Sequence, residues 1–290
     1  CGVVLSNLEA KAIVSPTAMI LTDAQLITPL SHASLNLTFN YNGWSSYLNF
    51  IDDVILDADI QPSMVHMNDI VFFAPDIDGM ENEVRLQGRV KGPIKNMKGK
   101  DIKLYFGNST LFRGDAQMTG LPNIYETFVN LKVDDFTTDL SDLQKFKLPG
   151  NLPLDMIPEE IEKLGHIRLK GRFTGFYNDF VSNAQVYTDI GKLITDVQIK
   201  SDKEKETIVY QGDFKATGFQ LGQLIEMESD FGALDFDLHV KGQGVTLPTL
   251  KTQIDGNIDG LNFRGNQLET IFIDAAISEN KFQGSVSIDD

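Results

Sequence analysis

The side chains that offer acid–base or metal chemistry here are four histidines, one cysteine and a surplus of aspartates. His32, His66, His166 and His239 lie far apart, and none has a second histidine at ligand spacing. Met64-Val65-His66-Met67 has the donors of a soft-metal site, but loop or core filling is its expected role. Asp76-Ile77-Asp78-Gly79-Met80-Glu81-Asn82-Glu83 has the acidity of a calcium loop without its twelve-residue ligand spacing or flanking helices, so it reads as a solvated turn. Gly242-Gln243-Gly244 lacks the strand and helix context of a dinucleotide site. Neither a serine nucleophile elbow nor an HExxH helix is present. Trp44, with Tyr41 and Tyr47 nearby, is the best sugar-stacking candidate, though structural packing is the expected role. These residues predict no catalytic constellation, no metal and no cofactor. The chain reads as a non-enzyme.

The bulk properties narrow the field further. Over 290 residues, 41 Asp and Glu face 25 Lys and Arg, a formal net charge of −16. That balance excludes a nucleic-acid surface, which needs clustered cations, and a basic patch for anionic lipid headgroups. A hydrophobic fraction of 42% excludes a disordered chain. Cys1 is the lone cysteine, so no internal disulfide forms. It is either the acylated first residue of a lipoprotein or the point where a longer chain was cut. The direct move into strand-like patterning from Val3 onward, with no polar tether, favours the second. No run approaches the roughly 18 apolar residues of a membrane helix, so any anchor is expected outside these residues.

The elements that must carry these side chains are strands. Period-two alternation recurs along nearly the whole chain, which on a strand gives one apolar and one polar face. The apolar sets are Leu35, Leu37 and Phe39; Val54, Leu56 and Ile60; Leu86 and Val90; Ile102, Leu104 and Phe106; and Val129, Leu131 and Val133. They continue with Leu169 and Phe173; Val186 and Ile190; Val197 and Ile199; Phe214; Phe236, Leu238 and Val240; Ile254 and Ile258; Ile271 and Ile273; and Val286. Their polar partners include Arg85, Gln87, Arg89 and Lys91 in one run and Lys251, Gln253, Asp255, Asn257 and Asp259 in another. Helical signals are few. Asp139 caps a two-turn candidate ending at Phe146, Pro158 opens another that Gly165 stops, and Leu221-Gly222-Gln223-Leu224-Ile225-Glu226 supplies a short third. Leu148-Pro149-Gly150-Asn151-Leu152-Pro153-Leu154 reads as a loop.

Glycines keep phase with the apolar face. Val84-Arg85-Leu86-Gln87-Gly88-Arg89-Val90-Lys91-Gly92 is matched by Ile167-Arg168-Leu169-Lys170-Gly171-Arg172-Phe173-Thr174-Gly175, and Gly256-Asn257-Ile258-Asp259-Gly260 repeats the core of the pattern. Gly114-Asp115-Ala116-Gln117-Met118-Thr119-Gly120 likewise returns as Gly212-Asp213-Phe214-Lys215-Ala216-Thr217-Gly218. Ordinary hairpin turns would also space glycines regularly. Their phase with the apolar side favours a bent sheet.

Phe219-Gln220-Leu221-Gly222-Gln223-Leu224 and the run from Leu234 to Gly244 resemble the TamB family of bacterial translocation and assembly proteins. The segments Thr246–Gly256 and Gly120–Asn123 fit as well, and the likeness of spaced glycines and alternating hydrophobes covers essentially all 290 residues. The resemblance implies a periplasmic protein tethered to the inner membrane by a helix absent from these residues. It also implies AsmA-like relatives, a sheet curled into a trough with an apolar lining (a β-taco), and an outer-membrane TamA-like barrel partner. Phospholipid passage and barrel-protein assembly are the family's associations, and it has no catalytic residues to carry over.

The expected fold is therefore all-β: an elongated, curved, mostly antiparallel sheet forming an apolar groove, with two or three short helices. Roughly 20 strands at ~4.8 Å would make a sheet on the order of 100 Å long, which normally curls, splits or closes. Residues 1–290 form one continuous module, with segments of about 1–148 and 165–290 joined by the connector 149–164. The expected function is the binding and conduction of phospholipid acyl chains along the apolar residues named above. The alternatives are a scaffold for barrel assembly and, behind it, an adhesin-like or carbohydrate-binding β-sandwich.

Overall fold

β-Branched and aromatic residues at alternate positions, punctuated by short polar turns, leave strand pairing as the way to satisfy the backbone while segregating the two faces. The computed structural model describes residues 4–71, 74–148, 150, 152–153, 159–202, 207–244, 249–278 and 281–289. The protein is all-β, built as curved, unclosed antiparallel sheet. It divides into two compact units, Cys1–Asp155 and Met156–Asp290, with the boundary inside the expected connector 149–164.

In the first unit eight strands pair in chain order: β1 Asn7–Val14, β2 Ala18–Ile27, β3 His32–Asn40, β4 Ile55–His66, β5 Glu83–Gly92, β6 Asn96–Phe106, β7 Thr110–Thr119 and β8 Phe128–Thr138. Short helices interrupt the meander at the strand ends. A 3-10 turn, Trp44–Asn49, runs into α1 Phe50–Asp53; α2 Met67–Ile70 and the 3-10 turn Pro75–Ile77 follow β4; α3 Leu140–Lys145 follows β8. The first unit ends in a small hairpin, β9 Lys147–Leu148 against β10 Leu152–Pro153. The second unit opens on a 3-10 helix, Glu159–Leu164, and continues with β11 Ile167–Phe176, β12 Asp179–Thr188, β13 Gly191–Asp202 and β14 Thr207–Gln220. Helix α4 Leu221–Ile225 precedes β15 Ala233–Gln243, β16 Lys251–Phe263, β17 Asn266–Ser278 and β18 Lys281–Asp289, again paired in chain order.

The helix expected behind Asp139 forms as α3, and the short Leu221–Glu226 candidate forms as α4. Asp139 sits at the N-cap of α3 and its carboxylate accepts from the Asp142 N–H at 2.9 Å. Glu226 ends α4 in the left-handed conformation. Four expectations are corrected. The Pro158 candidate is a 3-10 helix, with Pro158 itself outside the described residues. The segment expected as a plain loop contains the β9–β10 hairpin; its Pro149, Asn151 and Leu154 are likewise outside them. Val54 is not on a strand: it caps α1, donating its N–H to the Phe50 carbonyl. Ile190 is not on a strand either, since β12 stops at Thr188 and Ile190 lies in the turn before β13.

The two units bend differently. All seven ladders of the first carry a register shift, with Asp23 and Asp101 in left-handed conformations at two of them. Bulges of this kind bend a strand and tighten its twist. In the second unit only the β14–β15 ladder shifts, between Ala216 and Phe219. There the apolar-face glycines admit the close approach of neighbouring strands. A Cβ on Gly256 (φ +142) would lie 2.1 Å from the Asp237 carbonyl oxygen. Gly256→Ala should therefore lower unfolding stability by about 2–4 kcal/mol in a urea titration. Gly265→Ala, in an open turn at φ +82, should cost only about 1–2 kcal/mol.

Candidate functional site

Register places the apolar residues of each unit on one face. In the second unit four cross-strand rows are continuous. One reads Leu169–Val186–Leu193–Ala216–Phe236–Ile258–Ile271–Ile288. The next reads Gly171–Ala184–Thr195–Phe214–Leu238–Gly256–Ile273–Val286, and the third Phe173–Ser182–Val197–Gly212–Val240–Ile254–Ala275–Gly284. The fourth joins Gly175, Phe180, Ile199, Tyr210, Gly242, Thr252, Ile277 and Phe282. Glycine, alanine, serine and threonine are interspersed among the large side chains of the second, third and fourth rows, while the first is nearly all large. The opposite face is ionic: Asp196, Asp213, His239, Asp255 and Asp274 form one row, and Lys215 pairs with Asp237 at 2.6 Å beside it.

The first unit repeats the division across its bulges. Leu37, Ala58, Val90, Gly99, Ala116 and Leu131 make one apolar row, and Leu86, Leu104, Phe112 and Phe136 another. Phe39 faces Leu56, Leu35 faces Ile60, Ile102 and Val133 flank Gly114, Phe106 faces Val84, and Val129 faces Met118. On the reverse face Lys91 pairs with Asp57, Arg89 with Asp101, and Lys100 with Asp115. The Lys100 ammonium holds the Asp115 carboxyl below its ordinary value. These pairs are largely solvated and each is worth at most about 1 kcal/mol. Their effect is to keep that side wet.

Thus 27 of the 29 residues expected to line a groove share their unit's apolar face, counting Ile271. The exceptions, Val54 and Ile190, are sealed inside the protein. Val54 has no exposed surface, and Ile190 is packed with Ala216, Phe219, Leu164 and Leu224. Ile271 is on the face but covered, since Leu221 and Phe231 close over it together with Leu234 and Leu261. Helix α4 and the following loop therefore roof the face at one set of strand ends, where Lys163 donates to the Leu224 carbonyl at 3.1 Å and pairs with Glu226. Away from that roof the lining is half-buried, including Val197, Ile199, Phe214, Leu238, Val240 and Ile254. Sequence reading missed Phe112, Phe136 and Phe180 on this face. The extra residue Asp134 breaks the period-two signal before Phe136, whereas Phe112 keeps the period of Gly114, Ala116 and Met118.

A sealed core of this size would look different. The chain exposes 17036 Å², whereas two separate compact domains of half its mass would expose about 14,900 Å². Among the described residues only Val54 and Asp142 have side chains less than 2% exposed. A sandwich buries both inner faces against each other at about 10 Å. Here the face is shielded mainly by its own neighbours along and across the strands.

Several titratable groups make structural contacts. Among the described residues no three of His, Cys, Asp or Glu are grouped as metal ligands, and no helix is long and apolar enough to cross a membrane. The Met64–His66 segment closes β4, and His66 Nδ1 accepts from the Asn68 N–H at 3.3 Å. An open cavity of about 380 Å³ beside it is lined by His32, Met64, Arg85 and Tyr105, with the Arg85 guanidinium 5.5 Å from the Tyr105 ring centre. Ser63 is in its wall as well, with its hydroxyl accepting from the Ser34 N–H at 2.9 Å and held against the Gln61 carbonyl at 2.8 Å. The acidic stretch after Pro75 contributes Asn82, which is buried and exchanges hydrogen bonds with the Lys147 backbone at 2.7 and 3.0 Å. Chain comparison adds no functional lead: no known protein family, curated protein or solved structure matches this one.

Among the described residues Asp142 is the one deeply buried carboxylate. It accepts from the N–H groups of Asn108, Ser109 and Thr110 at 3.2, 2.7 and 2.9 Å and from the Thr110 hydroxyl at 3.1 Å, tying α3 to the β6–β7 turn. Burial pushes its pKa up. The donors of Ser109, Asn108 and Thr110 together outweigh burial and hold it below 3.8. A depressed carboxyl stabilises the fold above its unfolded pKa and loses that contribution as pH falls through the folded value. Asp142→Asn should cost about 2–3 kcal/mol at pH 7 in chemical denaturation. Its deficit against the unaltered chain should shrink as the titrations are repeated below pH 3.8.

Proposed function

We propose that the apolar face of each unit is an open groove for the acyl chains of phospholipid, which it binds and passes along without chemistry. The observation that supports this is a continuous face of half-buried aliphatic and aromatic side chains roofed only at its margin. Each methylene laid on such a surface leaves water with a gain of about 0.8 kcal/mol. That is close to the cost of drawing it from a bilayer, so exchange between the two is nearly neutral. Small residues between large ones, such as Gly212 between Val197 and Val240, corrugate the face without adding polar contacts that would fix a guest in one pose. The ionic reverse face keeps the sheet in solution while its other side stays apolar. The TamB resemblance agrees with this reading. It adds to the proposal a periplasmic setting, an inner-membrane anchor outside these residues and a TamA-like barrel as outer-membrane partner.

Native mass spectrometry of gently purified protein should find phospholipid bound. Val197→Asp and Ile254→Asp should each weaken binding of a fluorescent fatty acid at least about tenfold, roughly 1.4 kcal/mol, while the circular dichroism spectrum is kept. Leu234→Asp, at a buried site under the α4 roof, should instead unfold the second unit. If the Val197 and Ile254 variants unfold in the same way, the face is a filled core and the proposal is wrong.

A further inference from the structure

One margin of the first unit carries large apolar side chains that the groove does not use. Trp44 and Leu48 on the 3-10 turn and Ile51 on α1 fall within eight residues of chain and are 56%, 92% and 37% exposed. Leaving a leucine in water forgoes about 2 kcal/mol of burial, so a stripe of three calls for a partner. The margin is continuous: the Lys95 N–H donates to the Ile51 carbonyl at 3.2 Å, and the Gly120 N–H to the Lys95 carbonyl at 2.8 Å. Tyr125 and Phe128, on the β7–β8 connection at the same strand ends, are also exposed.

The stripe is joined to the groove. Trp44 packs on Tyr41 and Tyr47 at ring distances of 5.5 and 6.3 Å, Tyr47 on Phe50 at 5.9 Å, and Phe50 on Phe39 at 5.9 Å. Phe39 lies on the apolar face opposite Leu56. An unbroken aromatic path thus runs from the exposed indole to the lining. Its base is anchored by the Tyr41 hydroxyl, which donates to the Ser15 carbonyl at 2.8 Å. The charges nearby are Asp52, Asp53 and Glu126, with Lys95 already paired to Asp52 at 2.8 Å. A net acidic margin is repelled by anionic headgroups. Tryptophan and tyrosine beside aliphatic residues favour the boundary between lipid headgroups and acyl chains.

We propose that this margin docks the first unit onto a zwitterionic lipid surface, with Trp44, Leu48 and Ile51 entering the headgroup boundary and the aromatic path leading acyl chains to Phe39. The docking stands on the exposed stripe. The delivery of chains to Phe39 rests on the groove reading above.

Trp44 is the only tryptophan in the chain, so its emission reports this site alone. Adding phosphatidylcholine vesicles to the full chain should move the emission to shorter wavelength and protect it from iodide, and lipids brominated on their acyl chains should quench it. The double variant Leu48→Asp, Ile51→Asp should abolish all three responses with an unchanged circular dichroism spectrum. Emission indifferent to vesicles overturns docking, even where fatty-acid binding sensitive to Val197→Asp persists. A vesicle response in a protein that binds no fatty acid keeps docking and removes the groove. A blue shift that instead grows with protein concentration in the absence of lipid, with a dimer in sedimentation, makes the stripe a contact between copies and overturns the proposal. A response to phosphatidylglycerol vesicles equal to or above that to phosphatidylcholine overturns the charge argument.

Discussion

The constraint on which everything else depends is register. Side chains on a strand alternate between faces, so a slip of one residue at any ladder would carry aspartate and lysine onto the apolar side and valine and isoleucine into water. Over most of the second unit the paired residues are like with like: Val186 with Leu193, Phe214 with Leu238, Ile258 with Ile271. On the other side Lys215 meets Asp237 and His239 meets Asp213 at 2.8 Å. The solvated ion pairs add little stability, but a shifted register would break them and bury their members. They work with the apolar rows to specify one alignment.

A single-layered sheet with one apolar side needs its strand ends held by something other than a second layer. The first unit uses buried polar groups. Asp142 collects the N–H groups of the β6–β7 turn, Asp69 accepts the hydroxyls of Thr28 and Ser31 across the β2–β3 turn, and Asn82 holds the backbone at Lys147. The second unit uses apolar packing, with α4 and Phe231 over Leu234, Leu261 and Ile271. Both solutions lie at the margins, leaving the middle of each face uncovered by described residues.

The alternation of apolar and polar residues carries the strand positions and the faces, because that signal is local. So is the cap at Asp139, which announces the start of α3 from its own neighbours. What escapes a reading by period is whatever depends on distant partners. Asp142 looks like one more helical acid until the β6–β7 turn, some 32 residues earlier, supplies its donors. Val54 and Ile190 keep the period of the adjoining strands and yet sit where the chain leaves the sheet. Ile271 keeps both period and strand, and is removed from the open face only because α4 folds back over it. The bulge at Asp134 in β8 shifts phase mid-strand, which is why Phe136 falls outside a strict count of two.

An open apolar face and a closed core place opposite demands on the same side chains. A core gains from interdigitation, which fills every gap and fixes every rotamer. A surface that must release its guest gains from sameness, so that each position along it offers the same free energy. Part of the third row of the second unit has that character. From Val197 past Gly212 to Val240 and Ile254, one aliphatic site succeeds another at about the 4.8 Å spacing of strands, with no polar side chain pointing into the row. On the proposed reading, a hydrocarbon chain advancing by one strand would exchange similar aliphatic contacts, and an unsealed face would trade stability for nearly level movement.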